Sequence, residues 1–244
     1  YSLETAATVG GNSGIVESSP SLFDSNYTLF ANPKFGYNFS HWDSPSGSLS
    51  LLANQNASVS TVLVQGDASY NAYFSLITYN LSVSMDTGGM TVSPASGNFS
   101  ALSHVSVSAI PLAGYNFAGW IDPTGILTNP NLAMTDENMS AAMSDASITA
   151  TFTKKTYPVA VSEGDGGNIS LTPASGPWEH YGVYEVNATA QNGYSFSEWQ
   201  GDFNSTNSLL FGKNEAVNKI GVSGPVTLNA AFTPNSYIVS TTIV

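Results

Sequence analysis

The 244-residue chain has no cysteine, no arginine and only five lysines, Lys34, Lys154, Lys155, Lys213 and Lys219. Without cysteine there is no disulfide framework, no thiolate nucleophile and no cysteine-ligated metal. Seventeen acids leave a net charge of −12. That field repels phosphate backbones and anionic headgroups, which excludes nucleic acid and acidic membrane surfaces as partners. Charged residues make up 9% of the chain, against roughly 25% in an average soluble protein. A protein with so few ion pairs and bases loses little when its carboxylates protonate, which predicts tolerance of an acidic exterior. No run approaches the ~18 apolar residues of a spanning helix, so no membrane insertion is expected in this segment. The chain opens on Tyr1 with no visible leader and reads as a processed form or an excerpt of a longer array.

What the chain does have is repetition. GYNFSHW stands at 36–42, GYNFAGW at 114–120 and GYSFSEW at 193–199. Tyr1, Tyr79, Tyr157 and Tyr237 keep step with them. Each opens an alternating segment such as YNLSVSM, which puts Tyr79, Leu81 and Val83 on one face of a strand. A Gly-Gly pair follows at 10–11, 88–89 and 166–167, and predicts a hairpin turn into a second strand. PASG recurs at 94–97 and 173–176, ahead of Phe99 and Trp178; the first repeat keeps Pro20 and Phe23 at a shorter spacing. Each repeat closes on a small-residue strand that ends in Phe74, Phe152 or Phe232.

This pattern predicts an all-β fold: a tandem array of three small domains of about six short strands, over residues 1–78, 79–156 and 157–236. Four residues separate each closing Phe from the next Tyr, a span of ~15 Å at most. Neighbours held that closely, without a Gly/Ser tether, predict a stiff rod. Residues 237–244, YIVSTTIV, have two readings. They are the first strand of a further repeat, or a strand donated to the exposed sheet edge of another copy.

The ordered set of Tyr-x-Val-x-Val, Gly-Gly, Pro-Ala-Ser-Gly, Gly-Tyr-x-Phe-x-x-Trp and a closing Ala-x-Phe resembles the divergent InlB B-repeat family, a tandem module of bacterial and archaeal surface and secreted proteins. The resemblance covers three copies and the first strand of a fourth. It implies a β-grasp-like domain that serves as spacer, stalk or adhesion module, with no catalytic residues to carry over. The longer segments between Trp and closing Phe, and the low charge, depart from the family pattern.

The aromatic residues of the heptads, Tyr37, Phe39, Trp42, Tyr115, Phe117, Trp120, Tyr194, Phe196 and Trp199, are expected to be packing anchors, together with Phe74, Phe152 and Phe232. They repeat while their polar neighbours do not, which argues for core over a sugar-stacking platform. Asp202, Asn204 and Thr206 have the alternate spacing of calcium ligands, without the distal bidentate acid that a twelve-residue loop supplies. His41, His104 and His180 fall at three different places in the repeat and have no metal-ligand spacing. Nine Asn-x-Ser/Thr sequons, at Asn26, Asn38, Asn56, Asn80, Asn98, Asn138, Asn168, Asn187 and Asn204, are candidate N-glycosylation sites.

No convergent carboxylate pair or nucleophile–base motif is visible, so no enzymatic activity and no cofactor are expected. Three functions remain open on sequence. The first is a non-catalytic stiff spacer or assembly unit of an extracellular surface, stalk or filament protein, partnered by neighbouring repeats or other copies of itself. The second is an adhesin that binds glycans or surfaces through the variable loops after each Trp. The third is a spacer within a large secreted hydrolase.

Overall fold

The structure, a computed structural model, describes residues 1–16, 21–44, 51–139, 144–162, 164–203 and 207–241. Pro20, Asn204, Thr206 and residues 242–244 lie outside the described set. Among the described residues, the named elements are all strands. The first repeat holds β1 (Leu3–Ala7), β2 (Gly11–Ile15), β3 (Ser25–Pro33), β4 (Tyr37–Asp43), β5 (Leu51–Leu52), β6 (Val59–Val64) and β7 (Ala68–Leu76). The second holds β8 (Thr78–Met85), β9 (Gly89–Ser93), β10 (Gly97–Ser100), β11 (His104–Pro111), β12 (Tyr115–Ile121), β13 (Met134–Asn138) and β14 (Ala146–Lys154). The third holds β15 (Thr156–Tyr157), β16 (Val159–Ser162), β17 (Gly167–Thr172), β18 (Trp178–Glu179), β19 (Gly182–Ala190), β20 (Tyr194–Gly201), β21 (Ser208–Leu209), β22 (Val217–Val222) and β23 (Val226–Pro234). The chain is thus an all-β tandem array, with somewhat more strands per repeat than the six expected.

The chain gathers into two compact units. One comprises residues 1–84, 92–108 and 120–149, the other 85–91, 109–119 and 150–244. In the first unit, one sheet has the order β1-β7-β4 and a second the order β2-β3-β6-β5. The same pair of sheets recurs in the second unit as β16-β23-β20 and β17-β19-β22-β21. In both, the repeat's opening strand runs parallel to its closing strand, Leu3 opposite Ala68 and Val159 opposite Val226.

Alternation builds the core between the sheets. Tyr27, Leu29 and Ala31 of β3 and Ala68, Tyr70 and Ala72 of β7 point inward and meet Leu3, Trp42, Val62 and Val64. In the second unit Val186, Ala188, Trp199, Ile220, Val222, Leu228 and Ala230 form the equivalent cluster.

The spacing inside Gly-Tyr-x-Phe-x-x-Trp has a backbone cause. Strict alternation would place Trp on the face opposite Tyr and Phe. The ladder between β4 and β7 shifts register between Phe39 and His41, and that between β20 and β23 shifts between Phe196 and Glu198. The extra residue of each bulge returns Trp to the core face. Two then three is the sequence signature of an alternating pair followed by a bulge.

The Gly-Gly pairs do not close hairpins, contrary to the sequence expectation. β1 lies in one sheet and β2 in the other, so the glycines carry the chain across the sandwich. Their second demand is proximity. The Tyr37 ring lies on Gly10 and the Phe74 ring on Gly11, while Tyr194 and Phe232 cover Gly166 and Gly167 in the same way. Three recurring landmarks, the glycine pair, the heptad Tyr and the closing Phe, therefore repeat together because they pack on one another.

Candidate functional site

Each heptad Trp is buried, Trp42 at 1%, Trp120 at 6% and Trp199 at 1% exposure. The indole N–H donates to the carbonyl of Ala57 at 3.0 Å, Leu132 at 3.1 Å and Glu215 at 2.7 Å respectively. The Trp backbone N–H donates to Gln55, Pro130 and Lys213. Trp thus anchors both the core and the loop that follows it. A buried indole of this kind contributes about 3–5 kcal/mol. Phe39, Phe117 and Phe196 meet Phe74, Phe152 and Phe232 edge to face, with centroids 6.0, 5.8 and 6.0 Å apart. Tyr37, Tyr115 and Tyr194 are half-buried against the glycine pairs.

The polar candidates are scattered. Asp202 is exposed and its intended companions Asn204 and Thr206 lie outside the described residues. Among the described residues no group of three His, Cys, Asp or Glu side chains is placed to hold a metal ion. Asn26, Asn38, Asn56, Asn80, Asn98 and Asn168 are exposed, Asn187 is half-buried, and Asn138 lies in β13 opposite His104. Asn80 and Asn98 face each other across β8 and β10, their side chains 3.4 Å apart. His41 stacks on Tyr73 at 4.8 Å. A shallow depression lined by Ser2, Glu4, Asp67, Ala68 and Ser69 is acidic, and Asp67 already accepts the Ser2 backbone N–H at 2.7 Å.

The connections between repeats carry a recurring arrangement. Within the first unit, Ile77 donates its N–H to the Gly36 carbonyl at 2.9 Å, and its own carbonyl accepts the Ala101 N–H at 2.8 Å. The Leu102 side chain covers Gly36, which is buried. Within the second unit, Lys155 donates to Gly114 at 2.8 Å and accepts from His180 at 2.9 Å. The His180 ring covers Gly114, also buried, and its Nδ1 lies 3.3 Å from the Tyr157 hydroxyl. A single linker residue is thus held on both sides, by the heptad glycine of one repeat and by the residue just beyond β10 or β18 in the next. Sequence reasoning found the short linkers and missed this lock. Its signal was a constant offset: Gly36 to Ile77 and Gly114 to Lys155 both span 41 residues.

Gly114 and Gly193 have nearly the same backbone, φ +84° and +86°, but nothing lies within 4 Å of a Cβ on Gly193. Gly193→Ala is expected to cost only the left-handed backbone strain, about 1–2 kcal/mol. Gly114→Ala adds a clash with the His180 ring and is expected to lose about 1–3 kcal/mol more. Urea unfolding of the two variants side by side checks the difference; equal losses would refute a packed junction.

Glu137 is the one buried acid among the described residues. It is 0% exposed and neither carboxylate oxygen has a hydrogen-bond partner. Burial, with the Asp122 charge adding, pushes its pKa from 4.5 up to about 7. It stands opposite Val105 on β11, as Val62 stands opposite Tyr27 and Ile220 opposite Tyr184. The loop bonds agree: Asn54 N–H to Ser60 Oγ, Asn129 N–H to Thr135 Oγ1 and Phe211 N–H to Asn218 Oδ1 each fall two residues before it. A carboxyl therefore occupies a core position that is aliphatic in the other two repeats.

A family model for the divergent InlB B-repeat domain matches residues 1–78, 79–156 and 157–236. Comparison with curated proteins finds no match.

Proposed function

Because the chain belongs to the divergent InlB B-repeat family, with three copies across residues 1–236, we propose that it is a non-catalytic stiff spacer and assembly unit of an extracellular surface protein. The repeat family is a structural module of surface proteins, and the finer reading rests on the linkers. The observation that carries it is that Ile77 and Lys155 are each hydrogen-bonded through both N–H and carbonyl to the repeats they join. A linker fixed at both its polar groups has little backbone freedom left, which supports, within each unit, a stiff connection between the segments of the domains 1–78, 79–156 and 157–236 that it joins. The exposed sequons at Asn26, Asn38, Asn56, Asn80, Asn98 and Asn168 suit a glycosylated outer surface.

The native absence of cysteine makes the test simple. Val16→Cys and Phe211→Cys, at positions 65% and 57% exposed, accept a donor and an acceptor dye in repeats 1 and 3. A single narrow distance distribution that is unchanged by moderate salt is expected. A broad distribution, as a flexible tether gives, would overturn the spacer reading.

A further inference from the structure

In repeats 1 and 3 the strand that opens the repeat lies parallel to the strand that closes it. Leu3 through Ala7 of β1 pair with Ala68 through Ala72 of β7. Val159 through Ser162 of β16 pair with Val226 through Asn229 of β23. Both opening strands stand at the outside of three-stranded sheets, so among the described residues the closing strand is the one sheet neighbour of each. The same pair is where the chain enters and leaves a repeat. β7 ends at Leu76 and β8 of the next repeat begins at Thr78; β14 ends at Lys154, and β15 and β16 follow from Thr156. Tension along the chain therefore pulls on the start of an opening strand and on the end of a closing one.

Those two points lie at opposite ends of a parallel ladder, whose hydrogen bonds run from strand to strand. A pull along the strands strains every rung at once, and the rungs must give way together. In repeat 1 they extend from the Ser2 carbonyl, which accepts the Ala68 N–H at 2.9 Å, to the Thr8 N–H, which donates to the Ala72 carbonyl at 3.0 Å. An antiparallel pair would place both points at one end, and its ladder would open rung by rung. A side chain also lengthens the ladder. Thr8 Oγ1 accepts the Phe74 N–H at 3.3 Å. Asp86, at the same repeat position, donates its N–H to Ala150 at 3.0 Å, and its Oδ2 accepts the Phe152 N–H at 3.0 Å. Repeat 3 has Gly164 there, which supplies no such rung; a Cβ on it would lie 2.8 Å from the Ala230 carbonyl oxygen.

We propose that the paired opening and closing strands of repeats 1 and 3 are shear clamps, which keep each repeat folded while the chain transmits tension. This rests on the reading of the chain as a spacer and adds a direction to it: the repeats resist being drawn out lengthwise as well as being bent. Forced unfolding is governed by the barrier to breaking the clamp and not by overall stability, so strand direction matters more here than core size. Repeat 3 has four ladder pairs against five and lacks the side-chain rung, so it yields at a lower force than repeat 1.

The test pulls the full chain in optical tweezers through DNA handles on paired cysteines, which the cysteine-free sequence permits. Ser2→Cys with Ser75→Cys puts the handles at opposite ends of the β1–β7 ladder. Val9→Cys with Ser75→Cys puts both at one end. All three positions are exposed, and the two variants are expected to share one urea midpoint, so a difference in force reports direction alone. The lengthwise pair is expected to unfold repeat 1 at about three times the force of the other, because several rungs and not one set its barrier. In the lengthwise pair, Thr8→Val keeps the side-chain shape, removes the hydroxyl and is expected to lower the force by roughly a fifth. Equal forces in the two directions overturn the proposal, and an unchanged force in Thr8→Val overturns the side-chain rung. Equal forces would leave the inter-dye distance untouched, and a broad distance distribution would leave the force ratio untouched, so the clamp and the spacer reading fail separately.

Discussion

Replacing Glu137 with methionine is expected to stabilise the chain by about 3 kcal/mol at pH 8 and to leave it almost unchanged at pH 4. The direction follows from proton binding. The folded state holds the Glu137 proton up to about pH 7, whereas the unfolded chain releases it near 4.5. Between those values the native state binds more protons than the unfolded state, so stability falls as pH rises and levels off above 7. Each tenfold gap in proton affinity is worth ~1.4 kcal/mol, which sets the total at about 3 kcal/mol. Methionine matches the length of glutamate, and length matters here. The strand position opposite is Val105, where the other repeats carry the larger Tyr27 and Tyr184, so a shorter aliphatic residue would leave a void. Urea midpoints at pH 4, 6 and 8 for the native chain, Glu137→Met and Glu137→Gln decide the matter. Both variants should lose the slope, and both should exceed the native chain at pH 8 because neither side chain ionises. A native chain equally stable at pH 4 and pH 8 would sink the argument.

This buried acid also sharpens what the composition implied. Few ion pairs mean that little is lost on acidification, and Glu137 makes the middle repeat firmer as its carboxyl takes up a proton. The sequence did not reveal it, because MTDEN at 134–138 reads as a polar stretch in the variable part of the repeat. Only the strand register aligns Ser60-Thr61-Val62 with Thr135-Asp136-Glu137 and Asn218-Lys219-Ile220 and exposes the substitution.

The all-β repeats were legible because their cause is local. Alternation marks strands, and large aromatics at a fixed period mark cores that must each be built afresh. What stayed hidden was pairing between distant segments. The glycine pair looks like a hairpin because glycine relieves the backbone at a tight turn. Its neighbours in space, Tyr37 and Phe74, are 26 and 63 residues beyond Gly11, so local reading could not see the crossing between sheets. The linker lock was hidden for the same reason, since the heptad glycine looks sufficient as a strand breaker until Leu102 and His180 are found on top of it.

The glycine pair carries the other large effect. Gly167→Ala is expected to cost about 2–4 kcal/mol, and Gly11→Ala a similar amount, because a methyl on either would overlap the ring of Phe232 or Phe74. Gly97→Ala is the control: the nearest atom to its Cβ would be 3.9 Å away, and a change within about 0.5 kcal/mol is expected. Propensity alone cannot produce this contrast, since alanine is tolerated in strands and restricts the unfolded chain in every case. The ring is the cause, and a second substitution isolates it. Phe232→Leu lowers stability on its own by removing the edge-to-face contact with Phe196 at 6.0 Å. It also vacates the space above Gly167, so Gly167→Ala should cost at least 1 kcal/mol less in that background than alone. Strictly additive losses would show that the ring is not what forbids a side chain there, and the shared packing of glycine pair, Tyr and closing Phe would lose its explanation for their joint recurrence.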